Sequence, residues 1–253
     1  MADIKALAQR LDDAAKNATE VPQLAESITL EDAYAIQKES MGRRFARGEK
    51  QVGMKMGFTS RDKMIQMGVH DMIWGRLTDA MIVEDGGATS LRRYVHPRIE
   101  PEIAFLLKGK LVGKVTPLQA LSAVEAIAPA VEIIDSRYKA FKFSLTDVVA
   151  DNSSSSGFVV GPWHKPDLDF SNLGIVVSFN GTPVLVGSTA AILGHPLRSL
   201  VAAARFADEA NEALLPGWIV MAGGASHAEA LKPGLWVECE VQNLGRCGFS
   251  VAE

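Results

Sequence analysis

Only two cysteines, Cys239 and Cys247, occur among 253 residues, which excludes a disulfide-stapled scaffold, and no CxxC pair suggests zinc. Both fall on what read as neighbouring strands near the C-terminus, where free buried thiols are the expectation and a functional pair the alternative. No apolar run approaches the roughly 18 residues of a membrane span. The N-terminal stretch MADIKALAQRLDDAAK carries charge in every turn and has no apolar h-region, so it does not read as a signal peptide, and a reducing cytoplasm is expected. Runs of Lys and Arg are missing too. With 26 basic and 30 acidic residues the net charge is −4, which argues against nucleic acid or an acidic membrane as partner. No Walker loop, no GxGxxG opening a βα unit and no GxSxG elbow is present, and nothing supports a Ser-His-Asp triad. The histidines (His70, His96, His164, His195, His227) form no HxxxH or HxH pair; His96 and His195, each before a proline, read as caps or loop braces.

What the chain does contain is ordinary for a soluble globular protein: 47% hydrophobic and 22% charged residues. Ile4, Leu7, Ala8 and Leu11 recur at helical spacing within residues 2–17. A second helix is predicted after Thr29, where Thr29 and Asp32 have capping-box spacing and Ala33, Ile36 and Met41 continue an apolar face. From Gly53 the texture changes to short apolar runs between Gly, Pro and Asn turns. Strands are expected at Ile103–Leu107, Ala130–Asp135, Gly157–Val160, Gly174–Phe179, Val184–Val186, Ile219–Ala222, Leu235–Val241 and Gly248–Val251. Asn180-Gly181 between two apolar runs signals a two-residue hairpin. Helices are written at Thr116-Pro117-Leu118-Gln119 and after Gly194-His195-Pro196. Gly86-Gly87 and Gly223-Gly224 read as turn or close-approach glycines. The pattern is α+β, one mixed β core behind a helical N-terminal region.

The most informative stretch is Arg98-Ile99-Glu100-Pro101-Glu102-Ile103-Ala104-Phe105. Strand side chains alternate faces, so Glu100 and Glu102 project from one side about 7 Å apart. The strand then turns apolar, which points those carboxylates inward. Glu132 lies inside another apolar strand. Like carboxylates leaving water together need a cation or a proton, and an all-oxygen set suits magnesium or manganese with sites left open for substrate. The alternative, that each glutamate is a rim residue or pairs with Arg98 or Arg137, stays open at this point. Lys55 in Gly53-Met54-Lys55-Met56-Gly57 faces either a pocket or, on an edge strand, solvent.

Together these segments resemble the fumarylacetoacetate hydrolase superfamily, in its hydratase/decarboxylase branch. The matching pieces are Lys55-Met56-Gly57-Phe58-Thr59-Ser60, Ile73-Trp74-Gly75-Arg76-Leu77-Thr78-Asp79-Ala80-Met81, Pro97–Glu102, Pro129–Arg137, Ala150-Asp151-Asn152, Gly187–Pro196 and Gly217–Gly223, in family order over about 200 residues. The resemblance implies a mixed β-roll catalytic domain over residues 76–253 behind an N-terminal helical or α/β region over 1–75. It implies Mg²⁺ or Mn²⁺ on Glu100, Glu102 and Glu132, Lys55 as the catalytic residue with its pKa lowered by burial, and substrate contacts from Ser154, Asp151, Thr78 and Asp79. The implied reaction is decarboxylation of 2-oxohex-3-enedioate to 2-hydroxypenta-2,4-dienoate in aromatic meta-cleavage catabolism; hydration of the dienoate is the alternative. A homo-oligomer, and a complex with the hydratase of the next step, are implied as partners. Arg76, Arg137 and Lys142 are candidates for holding the distal carboxylate.

Overall fold

Local signals place most elements of the computed structural model, which describes residues 2–25, 27–60, 64–65, 68 and 70–253. Helix α1 (Ile4–Asn17) starts where the Asp3 side chain accepts from the Ala6 N–H, and it buries Ala8, Leu11 and Ala14. Helix α2 (Leu30–Ala46) opens on the expected capping box of Thr29 and Asp32 and buries Ala33, Ile36 and Met41. Helix α3 (Pro117–Ser122) has the Thr116/Gln119 box and a first-turn proline, and α4 (Leu145–Ala150) is boxed by Ser144 and Asp147. Helix α5 (Pro196–Glu209) is capped by His195, whose Nδ1 accepts from the Leu197 N–H.

The strands are β1 (Gln51–Gly57), β2 (Ile73–Thr78), β3 (Ala88–Ser90), β4 (Arg98–Leu107), β5 (Val124–Ile134), β6 (Ser155–Val160), β7 (Gly174–Phe179), β8 (Thr182–Ser188), β9 (Ile219–Met221), β10 (Glu229–Ala230), β11 (Trp236–Val241) and β12 (Gly245–Ala252). They form two sheets. The larger runs β2-β1-β9-β4-β5-β6 with β10 against β4; the smaller runs β3-β12-β11-β7-β8. All pairings are antiparallel except β1 with β9 and β3 with β12, so the β core is mixed as expected. The expected division at residue 75 falls inside β2, and β1 is bonded to β9 of the larger sheet.

Asn180 and Gly181 both have positive φ, 50° and 80°, and close the β7–β8 hairpin between Phe179 and Thr182. Cys239 and Cys247 face each other across β11 and β12, buried and unlinked. One pairing gap positions the site. Along one edge β4 is bonded by β9 only at Ala104–Leu106 and by β10 only at Arg98 and Ile99. Pro101, which has no N–H to give a neighbouring strand, occupies that gap. There the chain linking β9 to β10 crosses, with Ala222 and Ala225 N–H groups donating to the Ile103 and Pro101 carbonyls.

Candidate active site

Register brings the three glutamates together. In the antiparallel β4–β5 pair Glu100 stands directly opposite Glu132, and Glu102 opposite Ala130, so Glu102 is diagonal to Glu132 on the same face. One carboxylate oxygen from each lies within 4.8 Å of the others, and all three residues are buried. The pairing with Arg98 or Arg137 left open by the sequence does not occur for Glu102 or Glu132. Arg137 is instead bound to Asp151, with Nε at 2.6 Å from Oδ1.

Glu102 Oε2 accepts the Gly223 N–H at 2.7 Å. Close packing against Thr59 and Glu100 explains the paired glycines. A Cβ on Gly223 would sit 2.2 Å from Thr59 Oγ1, and one on Gly224 would sit 2.9 Å from Glu100 Oε2. Glu102 Oε1 and Glu132 Oε1 accept no hydrogen bond among the described residues. Two buried carboxylate oxygens without a donor, in a set of three carboxylates, are what a hard divalent cation satisfies, so the residues present fit magnesium or manganese.

Lys55 supplies the fourth charge. It lies on β1, between β2 and β9 rather than at an edge, and is 3% exposed. Its Nζ is 3.0 Å from Glu132 Oε2 and donates to the Ser153 carbonyl at 2.9 Å. The expectation of a lowered lysine pKa is corrected here. Burial acts to lower it, but the charges of Glu132, Glu102 and Glu100 outweigh burial and hold the ammonium above its ordinary value. The cost appears on the carboxylates. Burial first, then the charge of Glu132, holds Glu102 well above the usual carboxylate range, and burial raises Glu132 against the pull of Lys55.

The Ser153 carbonyl is aimed by an unusual turn. Asn152, Ser153 and Ser154 all have left-handed φ (50°, 52°, 62°), at roughly 1–2 kcal/mol each for residues with a Cβ. Side chains hold the turn. The Asn152 amide donates to the Arg76 carbonyl and accepts the Arg76 N–H, and Ser153 Oγ donates to the Trp74 carbonyl. Gly75 is required between them, since its Cβ would lie 2.3 Å from the Asn152 carbonyl oxygen.

Above the carboxylates opens a cavity of about 410 Å³. Lys55, Glu100, Ser153 and Ser154 line it, with Phe58, Phe141 and Phe143 as apolar wall; Glu102 and Glu132, fully buried, stand beside Glu100 without lining it. Ser154 therefore joins the site. Asp151 does not reach it: buried behind the turn, it accepts from Arg137 and is pushed up to about 6 by burial against the pull of that guanidinium. Thr78 and Asp79 are not brought to the cavity either. Ile73 lines it, and Thr78 is at the other end of β2, about 17 Å along the strand. Thr78 Oγ1 donates to Glu49, and exposed Asp79 caps the Lys50 and Ala80 N–H groups. Of the three cations named for the distal carboxylate, none lines the cavity. Arg76 is bonded to Gln37 and Glu212, Arg137 to Asp151, and Lys142, between the wall residues Phe141 and Phe143, is exposed and outside the lining.

The fold and this carboxylate set define the class: the chain belongs to the fumarylacetoacetate hydrolase family, whose model for the fumarylacetoacetate (FAA) hydrolase C-terminal region matches residues 47–252. A 4-oxalocrotonate decarboxylase of a Pseudomonas species is 60% identical, over 98% of this chain and 97% of its own. The solved 4-oxalocrotonate decarboxylase of Pseudomonas putida G7, complexed with magnesium and adipate, superposes with a TM-score of 0.95 at 38% identity, covering 98% of this chain and 97% of that one. A 2-hydroxyhexa-2,4-dienoate hydratase of Comamonas testosteroni is 34% identical, over 99% of this chain and 98% of its own.

Proposed function

We propose that this chain is a Mg²⁺- or Mn²⁺-dependent carbon–carbon lyase that converts 2-oxohex-3-enedioate (4-oxalocrotonate) to 2-hydroxypenta-2,4-dienoate and CO2, in meta-cleavage breakdown of aromatics. The observation that carries it is the meeting of Glu100, Glu102 and Glu132 with Lys55, where Glu100 and Lys55 line a cavity. The 60% identity to a decarboxylase, against 34% to a hydratase, selects the reaction. Glu100, Glu102 and Glu132 would hold the metal, which when bound would supply Lewis acidity to the 2-oxo acid end of the substrate.

In the reaction the C5–C6 bond breaks, CO2 departs, and the electron pair left on C5 conjugates through the alkene to the C2 oxygen. That oxygen takes up one proton to give the dienol. Lys55, a fixed ammonium held by Glu132 and Ser153, is the side-chain cation beside the three carboxylates and is placed to donate a hydrogen bond to the developing negative charge. Ser154 offers a hydroxyl from the floor to the C1 carboxylate. Asp151 and Arg137 are positioning residues, which brace the left-handed turn from behind. The aromatic wall keeps water from the diene.

The test supplies purified protein with the diacid and with the dienoate separately, with Mg²⁺ and with excess chelator. CO2 release from the diacid, abolished by chelator, is expected. Loss of dienoate absorbance without CO2 from the diacid makes it a hydratase, and an undiminished rate in chelator removes the metal.

Assembly with further copies of the chain is part of the same reading, supported by Val176, Val184 and Val186, exposed together on the outer face of β7 and β8. An association with the hydratase of the next step follows from the instability of the dienol product. No helix among the described residues is long and apolar enough to cross a membrane. A cytoplasmic location belongs to the same reading, in keeping with the decarboxylases that the chain resembles.

A further inference from the structure

Among the described residues, the cavity lining holds one cation that the chemistry above does not use. Arg98 begins β4 two residues before Glu100, so its side chain leaves the same strand face as Glu100 and Glu102, about 7 Å further out. It lines the cavity, and its guanidinium carbon lies 4.4 Å from the centroid of the Phe141 ring. Among the described residues its guanidinium has no hydrogen bond and no ion pair, and it lies over that ring. Three other cations among the described residues are committed: Lys55 to Glu132 and Ser153, Arg137 to Asp151, Arg76 to Glu212. A half-buried guanidinium with five donors and no acceptor is open to a planar anion.

The spacing matches the substrate. Five carbon–carbon bonds in an extended chain span about 6 Å from the C1 to the C6 carbon, close to one step of two residues along a strand. A diacid with its 2-oxo acid end over Glu100, Glu102 and Glu132 thus brings its far carboxylate to Arg98. We propose that Arg98 is the receptor for the distal carboxylate and the residue that selects 2-oxo dicarboxylates over 2-oxo monocarboxylates. The assignment rests on the functional reading above. By anchoring that carboxylate, Arg98 also fixes the C5–C6 bond against the plane of the diene, the alignment its cleavage needs.

The experiment measures, by calorimetry on Mg²⁺-loaded protein, the binding of 2-oxoadipate and of 2-oxohexanoate, which has the same chain without the distal carboxylate. Arg98→Gln is expected to weaken 2-oxoadipate about 30-fold, the loss of a charge-assisted pair. It should leave 2-oxohexanoate within about threefold and the affinity for Mg²⁺ unchanged, with Arg98→Lys recovering part of the difference. On the substrate, KM should rise more than kcat falls. Equal weakening of both acids, with Mg²⁺ still bound, shows that Arg98 only braces Phe141 and overturns the assignment. So does a loss of discrimination in His227→Gln, on the cavity rim, that is absent from Arg98→Gln. Failure of the wild type to bind Mg²⁺ breaks the functional reading itself, which the metal titration registers separately.

Discussion

Asp12 and Glu102 are both carboxylates almost without solvent contact, and their surroundings are opposite. Asp12, on α1, is met by Arg47 at 2.6 Å and Arg43 at 2.8 Å, with Arg44 at 4.0 Å. Glu102, on β4, is met by two more carboxylates, one lysine that leans on Glu132, and a single backbone N–H. Burial raises the pKa of each. For Asp12 the arginines outweigh it and the net shift is downward; for Glu102 the neighbouring glutamates add to it. A carboxylate saturated by fixed cations is finished as a structural element and holds two helices together. A carboxylate left with unpartnered oxygens is completed only by something that arrives from solution. That difference separates the helical region from the chemical one better than burial does.

The largest expected effect breaks the site at its least compensated member. Glu102→Gln should lower Mg²⁺-dependent CO2 release by on the order of 10³-fold, from losing several kcal/mol of Lewis-acid stabilisation. The same variant, stripped of metal, should melt higher than metal-free wild type, because a buried like charge is gone. Mg²⁺ at about 100 times its Kd should stabilise wild type by about 2.7 kcal/mol and Glu102→Gln by much less. A CO2-release assay checks the first, and thermal melts with and without Mg²⁺ check the other two. A metal-free variant that melts lower than wild type would show that Glu102 is already satisfied within the protein.

Next in size is the structural carboxylate. Asp12→Asn leaves three guanidiniums around a neutral amide. Breaking a buried pair costs about 3–5 kcal/mol, and the partial exposure of Arg43 and Arg47 screens that toward about 2 kcal/mol. Urea denaturation should show that loss, while kcat per folded molecule stays at the wild-type value. A change in kcat beyond twofold would mean that the helical region is coupled to the site.

How far these two places were legible in the sequence differs for a physical reason. The caps at Thr29, Thr116 and His195, the Asn180-Gly181 hairpin and the Glu100/Glu102 alternation are local, and local rules placed them. Glu132 needed register, which only its apolar strand context hinted at. Strands β2, β3 and β10 escaped prediction: β2 is buried at every position and shows no alternation, and β10 is two residues long. Thr78 and Asp79 lie within a segment that matches the family, yet strand length carries them away from the cavity. Arg98 read only as a possible partner for the glutamates, since the Phe141 ring that turns it into pocket wall comes from a distant loop. The left-handed run at Asn152–Ser154 has no sequence signature beyond an Asn, because its cost is met by bonds to β2. The sign of the Lys55 shift also lay beyond the sequence. It depends on three carboxylates outweighing burial, a sum that needs their distances.

The smallest effect is a pH dependence whose sign differs between the two carboxylates. Asp12 has a folded pKa below the ordinary 3.8. Its contribution is therefore fully present above that value and is lost as pH falls through the folded pKa, so the stability gap between wild type and Asp12→Asn should stay constant above about pH 5 and close below pH 4. Glu102 in the metal-free protein has a folded pKa well above the ordinary 4.5. Its contribution is fully present below 4.5 and is lost as pH rises through the folded pKa, so wild type should fall progressively behind Glu102→Gln on going from acid to neutral pH. Urea midpoints of the three metal-free proteins across that range give both curves from one set of measurements. Parallel curves would mean that the two carboxylates are compensated alike, and the distinction between a finished ion cluster and a site awaiting its cation would fall.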